Sequence, residues 1–500
     1  MKTKKFAVLL FTLILVLGLF PMGVFAASST VTATSTASIT INNAVENDVL
    51  KAYKVVDITY NETSNHVSYA WNSAFADYFA GTTSYNDTAY TVEGFATLTD
   101  DSAELKNVLA GLPKYIADKN IAVAKTATVG EGGTATFANL AMGEYFIRPS
   151  STTAVYQLML QKIEPKVEEA SEGNPHYVIE NVPFTAKKEE VTITKTADKT
   201  SVTKNEKVAY TITVDIPTYA DNTTDKSFYV SDLLPDGLTI DTASINVKIG
   251  GTAVDKNAYT LATTATNAYT FKLSVSTQQY TAGWTNKGGK QLVITYTATL
   301  NNDNTTEVNV KETNKATFDY SFYPYVENSH KQKTDTVDVT TFAIKIDKFV
   351  NGSPNTKLAN AKFDLYRTAT DAEITAGGTV TIPHTTINGI KLESNVVTNA
   401  SGVATFEKYE ANGTKYDYYI VETQAPNGYN ILAKAVKVNF TDADVEATNG
   451  VYTVKVPNSS GITLPITGDE GIVIFTVIGI AFMGGAVILF VLFHKKAKAN

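Results

Sequence analysis

Val208-Ala209-Tyr210-Thr211-Ile212-Thr213-Val214 and Gln291-Leu292-Val293-Ile294-Thr295-Tyr296-Thr297-Ala298 are the most regular stretches of this chain. Successive side chains of a strand point to opposite faces, so each run buries one set of side chains and leaves the other at the surface. Outward from these two, the sequence between Ala27 and Asn458 repeats the pattern: short runs rich in Thr, Val, Tyr and Ile, broken by Asn, Asp and Gly. Such spacing predicts an all-β chain of tandem β-sandwiches. A helical pattern is legible only around Asp101 to Ile116, as a short helix lying across the first sheet.

Composition excludes several classes of function. The 500 residues suggest about three domains of roughly 150 residues each. The formal net charge is -8 and the only arginines are Arg148 and Arg367, which leaves little to grip phosphate and argues against nucleic acid. The histidines (His66, His176, His330, His384, His494) are scattered without metal-ligand spacing, and no nucleotide loop or nucleophile elbow is present. Neither a metal nor a cofactor is expected, and turnover catalysis has no support. Cysteine is absent, so any covalent bracing must come from other side chains.

The two ends read as export and anchoring signals. Lys2, Lys4 and Lys5 precede the apolar run Phe6 to Leu19, and Val24-Phe25-Ala26 offers the small residues of a cleavage site, so residues 1–26 are read as a secretory signal cut after Ala26. At the other end, Leu464-Pro465-Ile466-Thr467-Gly468 is followed by Asp469 and Glu470, an apolar run from Gly471 to Phe493, and His494-Lys495-Lys496-Ala497-Lys498. About 20 apolar residues suffice to span a bilayer, and lysines after them hold that end in the cytoplasm. This order resembles the cell-wall sorting signal of Gram-positive surface proteins. The resemblance implies that a sortase cysteine cleaves between Thr467 and Gly468 and passes the Thr467 carbonyl to an amine, so that the transmembrane helix of residues 461–500 anchors the chain only transiently.

Residues 27–186 are assigned to a first domain. Its order of strands, through Phe137 to Ile147, Tyr156 to Leu160 and His176 to Val182, resembles the N-terminal domain of sortase-assembled backbone pilins. The lysine motif of those proteins is missing; at its place stands Val182-Pro183-Phe184-Thr185-Ala186-Lys187-Lys188-Glu189. The resemblance implies Lys187 as the amine that attacks the sortase thioester, with Lys188 beside it and Lys166, in Ile163-Glu164-Pro165-Lys166, as alternatives.

In the second domain, residues 187–339, strand alternation aims three polar side chains at the core: Lys195 with Val191 and Ile193, Asp232 with Phe228 and Val230, and Asn314 with Ala316 and Phe318. Burying an unpaired charge costs several kcal/mol, so a pairing or a shifted pKa is required. The stretches Ile193-Thr194-Lys195, Phe228 to Asp232 and Asn314-Lys315-Ala316 resemble those of Ig-like pilin and collagen-adhesin sandwiches. The resemblance implies an intramolecular isopeptide bond from Lys195 to Asn314, with Asp232 as the catalytic acid.

The third domain, residues 340–460, contains Leu358 to Tyr366, and Tyr418-Tyr419-Ile420-Val421-Glu422-Thr423-Gln424-Ala425-Pro426, which resemble a collagen-adhesin B-type domain. Glu422 is the implied catalytic acid and Asn458, in line with Val454 and Val456, the acceptor. In Phe342-Ala343-Ile344-Lys345-Ile346-Asp347-Lys348 the family's Lys-x-Asp pattern selects Lys345, whereas alternation aligns Lys348 with Ile344 and Ile346. Lys345 is the assignment and Lys348 the alternative. Each bond is expected to join the first strand of a domain to its last.

The resemblance as a whole implies a structural subunit of a covalently polymerised surface pilus, secreted and anchored to the cell wall, in which Thr467 of one copy is joined to Lys187 of the next. Its implied partners are pilus-type and housekeeping sortases, other copies of itself, ancillary pilins, peptidoglycan and host surface ligands. The competing reading is a monomeric wall-anchored adhesin or an ancillary pilin. The short connection from Asn458 to Leu464, with no Pro- or Ser/Thr-rich stalk, favours the polymer.

Overall fold

The computed structural model describes residues 31–460, apart from 99–101, 152–153, 172–173, 302–308, 328, 412–415 and 439–449, together with 482, 483 and 486. The stretch read as a secretory signal and the Leu464–Gly468 motif lie outside the described residues, as does the apolar run after the motif apart from those last three positions. Among the described residues no helix is long and apolar enough to cross a membrane.

Three β domains follow one another, each with its own apolar core. In the first, β1 (Thr36–Asn42) pairs antiparallel with β3 (Ala135–Ala141) and parallel with β7 (Val182–Thr185). The facing sheet centres on β2 (Val49–Asn61), β4 (Gly143–Ser151) and β6 (Met159–Ile163). The expected single helix is two: α1 (Ala103–Ala110), capped by the Ser102 hydroxyl on the Leu105 amide, and α2 (Leu112–Asp118). Gly111 stands between them because a Cβ there would meet the Tyr85 carbonyl oxygen at 2.2 Å. Leu105, Val108, Leu109, Leu112, Tyr115 and Ile116 are buried, the three-and-four spacing of a helix face.

The second domain confirms the alternation in detail. In β10 (Lys207–Asp215), Val208, Tyr210, Ile212 and Val214 are buried; in β14 (Gln291–Leu300), Leu292, Ile294, Tyr296, Ala298 and Leu300 are. The two pair in antiparallel register with Tyr210 opposite Tyr296 and Ile212 opposite Ile294. With β9 (Ile193–Ala197) and β12 (Leu238–Ile249) they make one sheet. The facing sheet runs β13 (Phe271–Val275), β11 (Phe228–Leu233), β15 (Lys311–Ser321), β16 (His330–Thr340).

In the third domain β17 (Phe342–Val350) pairs antiparallel with β20 (Val403–Tyr409) and parallel with β23 (Val451–Asn458). Against them lies the sheet β19 (Asn388–Val397), β18 (Lys362–Thr368), β21 (Tyr418–Gln424), β22 (Val436–Val438). Further short helices stand where no helical period is legible, among them α3 (Thr277–Gly283) and α4 (Asp371–Ala376). Both are too short for a periodic stripe, and each starts with a capping box, Ser276 with Gln279 and Thr370 with Glu373.

The connections between domains are ordered. β8 (Lys188–Glu190) pairs with β5 (Ala154–Tyr156) of the first domain, and the Arg148 guanidinium lies 5.3 Å from the Tyr323 ring centroid across the junction. At the next junction the Lys204 amide donates to the Lys408 carbonyl at 3.0 Å and the Glu410 amide to the Thr203 hydroxyl at 3.2 Å.

Candidate functional sites

Lys195 reaches into the second core from β9, opposite Ile212, while Asp232 and Asn314 come from β11 and β15 of the facing sheet. All three are buried, and the Lys195 and Asp232 side chains have no exposed surface. Lys195 Nζ donates to Asp232 Oδ2 and, at 2.9 Å, to the Tyr296 hydroxyl. That hydroxyl donates to Asp232 Oδ2 at 3.0 Å and accepts from Asn314 Nδ2 at 2.8 Å. Burial pulls the Lys195 amine below the usual lysine range, against the pull of Asp232. The same burial pushes the Asp232 carboxyl up, against Lys195. Both shifts favour the neutral amine and the protonated acid, which are the forms a lysine needs to attack an amide carbon.

Tyr296 was not singled out in the sequence. Its signal was nonetheless there, as the one hydroxyl among Leu292, Ile294 and Ala298 on the inward face of its run. The geometry of the proposed link also differs from expectation. Asn314 stands on the penultimate strand of the domain and in the sheet opposite Lys195, because β15 and β16 form the closing hairpin. A bond here would staple the two sheets together.

In the third domain the side chain beside Glu422 is Lys348, and the assignment to Lys345 is corrected. β17 keeps strict alternation, with Ile344, Ile346 and Lys348 buried and Lys345 and Asp347 half-buried on the other face, where Lys357 pairs with Asp347 at 2.6 Å. No bulge turns Lys345 inward: from Ala343 to Val350 the pairing with β23 runs without a shift. Lys348 Nζ is 2.9 Å from Glu422 Oε1, which also accepts from Asn458 Nδ2 at 3.0 Å. The other oxygen, Oε2, accepts from the Leu432 amide at 2.8 Å. Burial holds the Lys348 amine below its usual range, against Glu422. Lys348 and Asn458 are on neighbouring parallel strands, so this link would tie the first strand to the last within one sheet.

The third candidate is an exposed lysine. Lys187 lies between β7 and β8, and it lines a cavity of about 780 Å³ where the first two domains meet, with the apolar Leu158, Leu160, Phe184 and Tyr325 and the polar Lys106, Gln161, Asp221 and Asn222. Of the alternatives, Lys188 is paired with Glu190 with 11% of its side chain exposed, and Lys166 pairs with Glu180 at 3.0 Å on the open surface. Among the described residues no cluster of His, Cys, Asp and Glu could hold a metal.

Comparison with known proteins bears on the fold and on the C-terminal segment. Residues 343–453 match the family model of the SpaA prealbumin-like fold domain, and residues 456–498 match that of the LPXTG cell wall anchor motif. A three-domain backbone pilin of Streptococcus pyogenes superposes with a TM-score of 0.55 at 19% identity, over 82% of this chain and 81% of that one. This is a wall-anchored surface chain with the backbone-pilin fold. The major pilin SpaD of Corynebacterium diphtheriae gives a TM-score of 0.51 at 18% identity over 86% of this chain and 99% of its own. SpaA of the same organism, whose structure is described as pointing to a modular pilus assembly with stabilizing isopeptide bonds, gives 0.51 at 19% over 85% and 100%. In sequence, the chain is 31% identical over 154 residues to a type 1 fimbrial subunit of Actinomyces viscosus, a match spanning 27% of this chain and 28% of the relative's length.

Proposed function

We propose that the protein is the shaft subunit of a covalent pilus, joined by sortase from Thr467 of one copy to Lys187 of the next and braced by Lys195–Asn314 and Lys348–Asn458 isopeptide bonds. The observation that carries the polymer is the place of Lys187 on a groove of mixed polar and apolar lining between two domains, in a chain whose C-terminal segment matches the wall-anchor motif. In the joining step the lysine amine attacks the Thr467 acyl group held as a thioester on sortase, and the sortase cysteine leaves. The groove walls offer the incoming segment both apolar contact, from Leu158, Leu160 and Phe184, and hydrogen-bonding partners, from Gln157, Gln161 and Asn222, which together orient the acyl carbon.

The internal bonds rest on the two buried clusters. In each, a neutral lysine attacks the asparagine Cγ, the neighbouring acid moves the proton, and ammonia departs. Neither cluster is a turnover site, since each lysine and asparagine is consumed once. Sheet-to-sheet and strand-to-strand links of this kind carry tension through the bonds past the intervening strands, which suits a subunit pulled from both ends.

Blotting of wall extracts tests the polymer. Wild type should give a ladder of high-mass species and Lys187→Ala only monomer, while Lys166→Ala and Lys188→Ala keep the ladder. A ladder that survives Lys187→Ala removes that lysine from the joint. A wild-type chain that runs only as a wall-linked monomer removes the polymer.

A further inference from the structure

The two lysine–acid–amide clusters differ in one detail. In the third domain a single oxygen, Glu422 Oε1, touches both reacting nitrogens, Lys348 Nζ at 2.9 Å and Asn458 Nδ2 at 3.0 Å. One carboxylate can therefore take a proton from the attacking amine and hand it to the leaving one. In the second domain the acid is an aspartate, one methylene shorter. Asp232 reaches Lys195, but no hydrogen bond joins it to Asn314. The Tyr296 hydroxyl fills that gap, 2.9 Å from Nζ, 2.8 Å from Nδ2 and 3.0 Å from Asp232 Oδ2.

We infer that Tyr296 is a catalytic proton relay for the second-domain bond, connecting Lys195 and Asp232 to the amide nitrogen that Asp232 is too short to reach. This rests on the isopeptide reading above and adds a residue to it. Neutral Lys195 Nζ attacks Asn314 Cγ, and the carbonyl electron pair moves to Oδ1. Nζ now carries one proton too many, and Nδ2 needs one to leave. Before the attack Nδ2 is planar and can only donate, as it does to the hydroxyl; once tetrahedral it has a lone pair and accepts. The hydroxyl passes its proton to Nδ2 and is refilled from Nζ, directly or through Asp232. The Oδ1 electron pair returns, the Cγ–Nδ2 bond breaks, and the products are one amide and one ammonia, with nothing oxidised or reduced.

The surroundings suit a relay of this kind. The ring is held by stacking on Tyr210 at 5.3 Å and by the edge of Phe271 at 5.2 Å, so the oxygen has little freedom to swing away. Burial raises the hydroxyl pKa well above the ordinary tyrosine range. The group therefore stays protonated and works by exchange and not by ionising.

The test follows bond formation after pulsed cell-free synthesis of residues 27–500, with acid quenching and mass mapping of the Lys195–Asn314 peptide pair. Tyr296→Phe keeps the ring and should slow the second-domain bond by about a hundredfold, as for loss of a general acid–base group. The third-domain bond in the same molecules should form at the wild-type rate. Adding Asp232→Glu to Tyr296→Phe should restore most of the rate, because the longer acid spans both nitrogens as Glu422 does. Wild-type speed in Tyr296→Phe overturns the relay, and so does a slow variant that the longer acid fails to rescue. Should Tyr296→Phe leave the second domain unfolded by circular dichroism, chains made with 3-fluorotyrosine decide instead. Their isosteric, more acidic hydroxyl must change the second-domain rate while leaving the third unchanged, and an unchanged second-domain rate overturns the relay. A wild-type chain lacking the Lys195–Asn314 link would instead remove the isopeptide reading itself.

Discussion

Replacing Glu422 by Gln changes the third-domain cluster by one atom type and keeps its volume. Without a carboxyl group to move protons between Lys348 and Asn458, the bond should not form, and the domain should keep the ammonia it otherwise loses, about 17 Da for a lysine–amide condensation. The thermal consequence can be worked from the topology. Lys348 and Asn458 enclose roughly 110 residues, and closing a loop of about 100 residues restricts the unfolded chain by about 4.7 kcal/mol in the chain-entropy model. With an unfolding entropy of about 2.1 cal/mol/K per residue, that loss lowers the melting temperature of a domain this size by about 20 °C. Intact mass and differential scanning calorimetry of the ectodomain read both quantities. Lys348→Ala should also retain the ammonia, and Lys345→Ala should not, because Lys345 sits on the far face of β17. A Glu422→Gln chain with the mass deficit intact, or one that regains the mass with an unchanged melting temperature, would refute the reasoning.

Three further outcomes are expected. His330 bridges Asp225 and Asp319, with Nε2 3.1 Å from Asp225 Oδ2 and also 3.1 Å from the Ser227 hydroxyl. Burial pulls its pKa down, but the two carboxylates outweigh this and hold it at about 9. A raised folded pKa gives stability that is complete below the unfolded value of about 6.5 and lost as pH rises through about 9. The second-domain melting temperature should therefore fall between pH 7 and pH 9.5, and His330→Gln should flatten that slope; an equally steep variant would exclude the histidine. Acid works in the opposite sense on the same cluster: Asp225 and Asp319 are both held below the ordinary carboxylate range despite burial, by hydrogen bonds from His330 and neighbours. Their contribution is present above about pH 4 and lost as pH falls further, visible as a drop in melting temperature toward pH 2 that Asp225→Asn reduces. Thr370→Ala removes the cap of α4 and should cost about 1 kcal/mol, seen as a small shift of the third-domain melt with the isopeptide mass unchanged.

Much of the fold was legible because the strand period is two and the apolar residues keep to it. Val208 to Val214 and Leu292 to Leu300 could be assigned to faces without a structure, and the same count aimed Lys195, Asp232, Asn314, Glu422 and Asn458 inward, where they lie. The short helices were not legible, since one or two turns carry no periodic stripe and their capping residues also occur in turns. Lys345 shows the reverse case: a family pattern was preferred to alternation, but the pairing with β23 runs without a shift and the one shift against β20, between Phe342 and Ile344, comes before Lys345 and leaves it on the outer face.

What the amino-acid order determined by itself was the all-β class, the inward or outward side of each strand residue, the absence of disulfide bracing and the anchor motif near the C-terminal end. These are local properties, set by side-chain alternation and by contiguous runs. Tertiary structure decided which inward groups meet. It brought the Tyr296 hydroxyl from β14 between Lys195, Asp232 and Asn314, placed Lys348 and not Lys345 against Glu422, and set Lys187 on the groove between the first two domains. These contacts depend on how sheets are ordered and stacked, and the residues concerned are tens to hundreds of positions apart, beyond the reach of any period read along the chain.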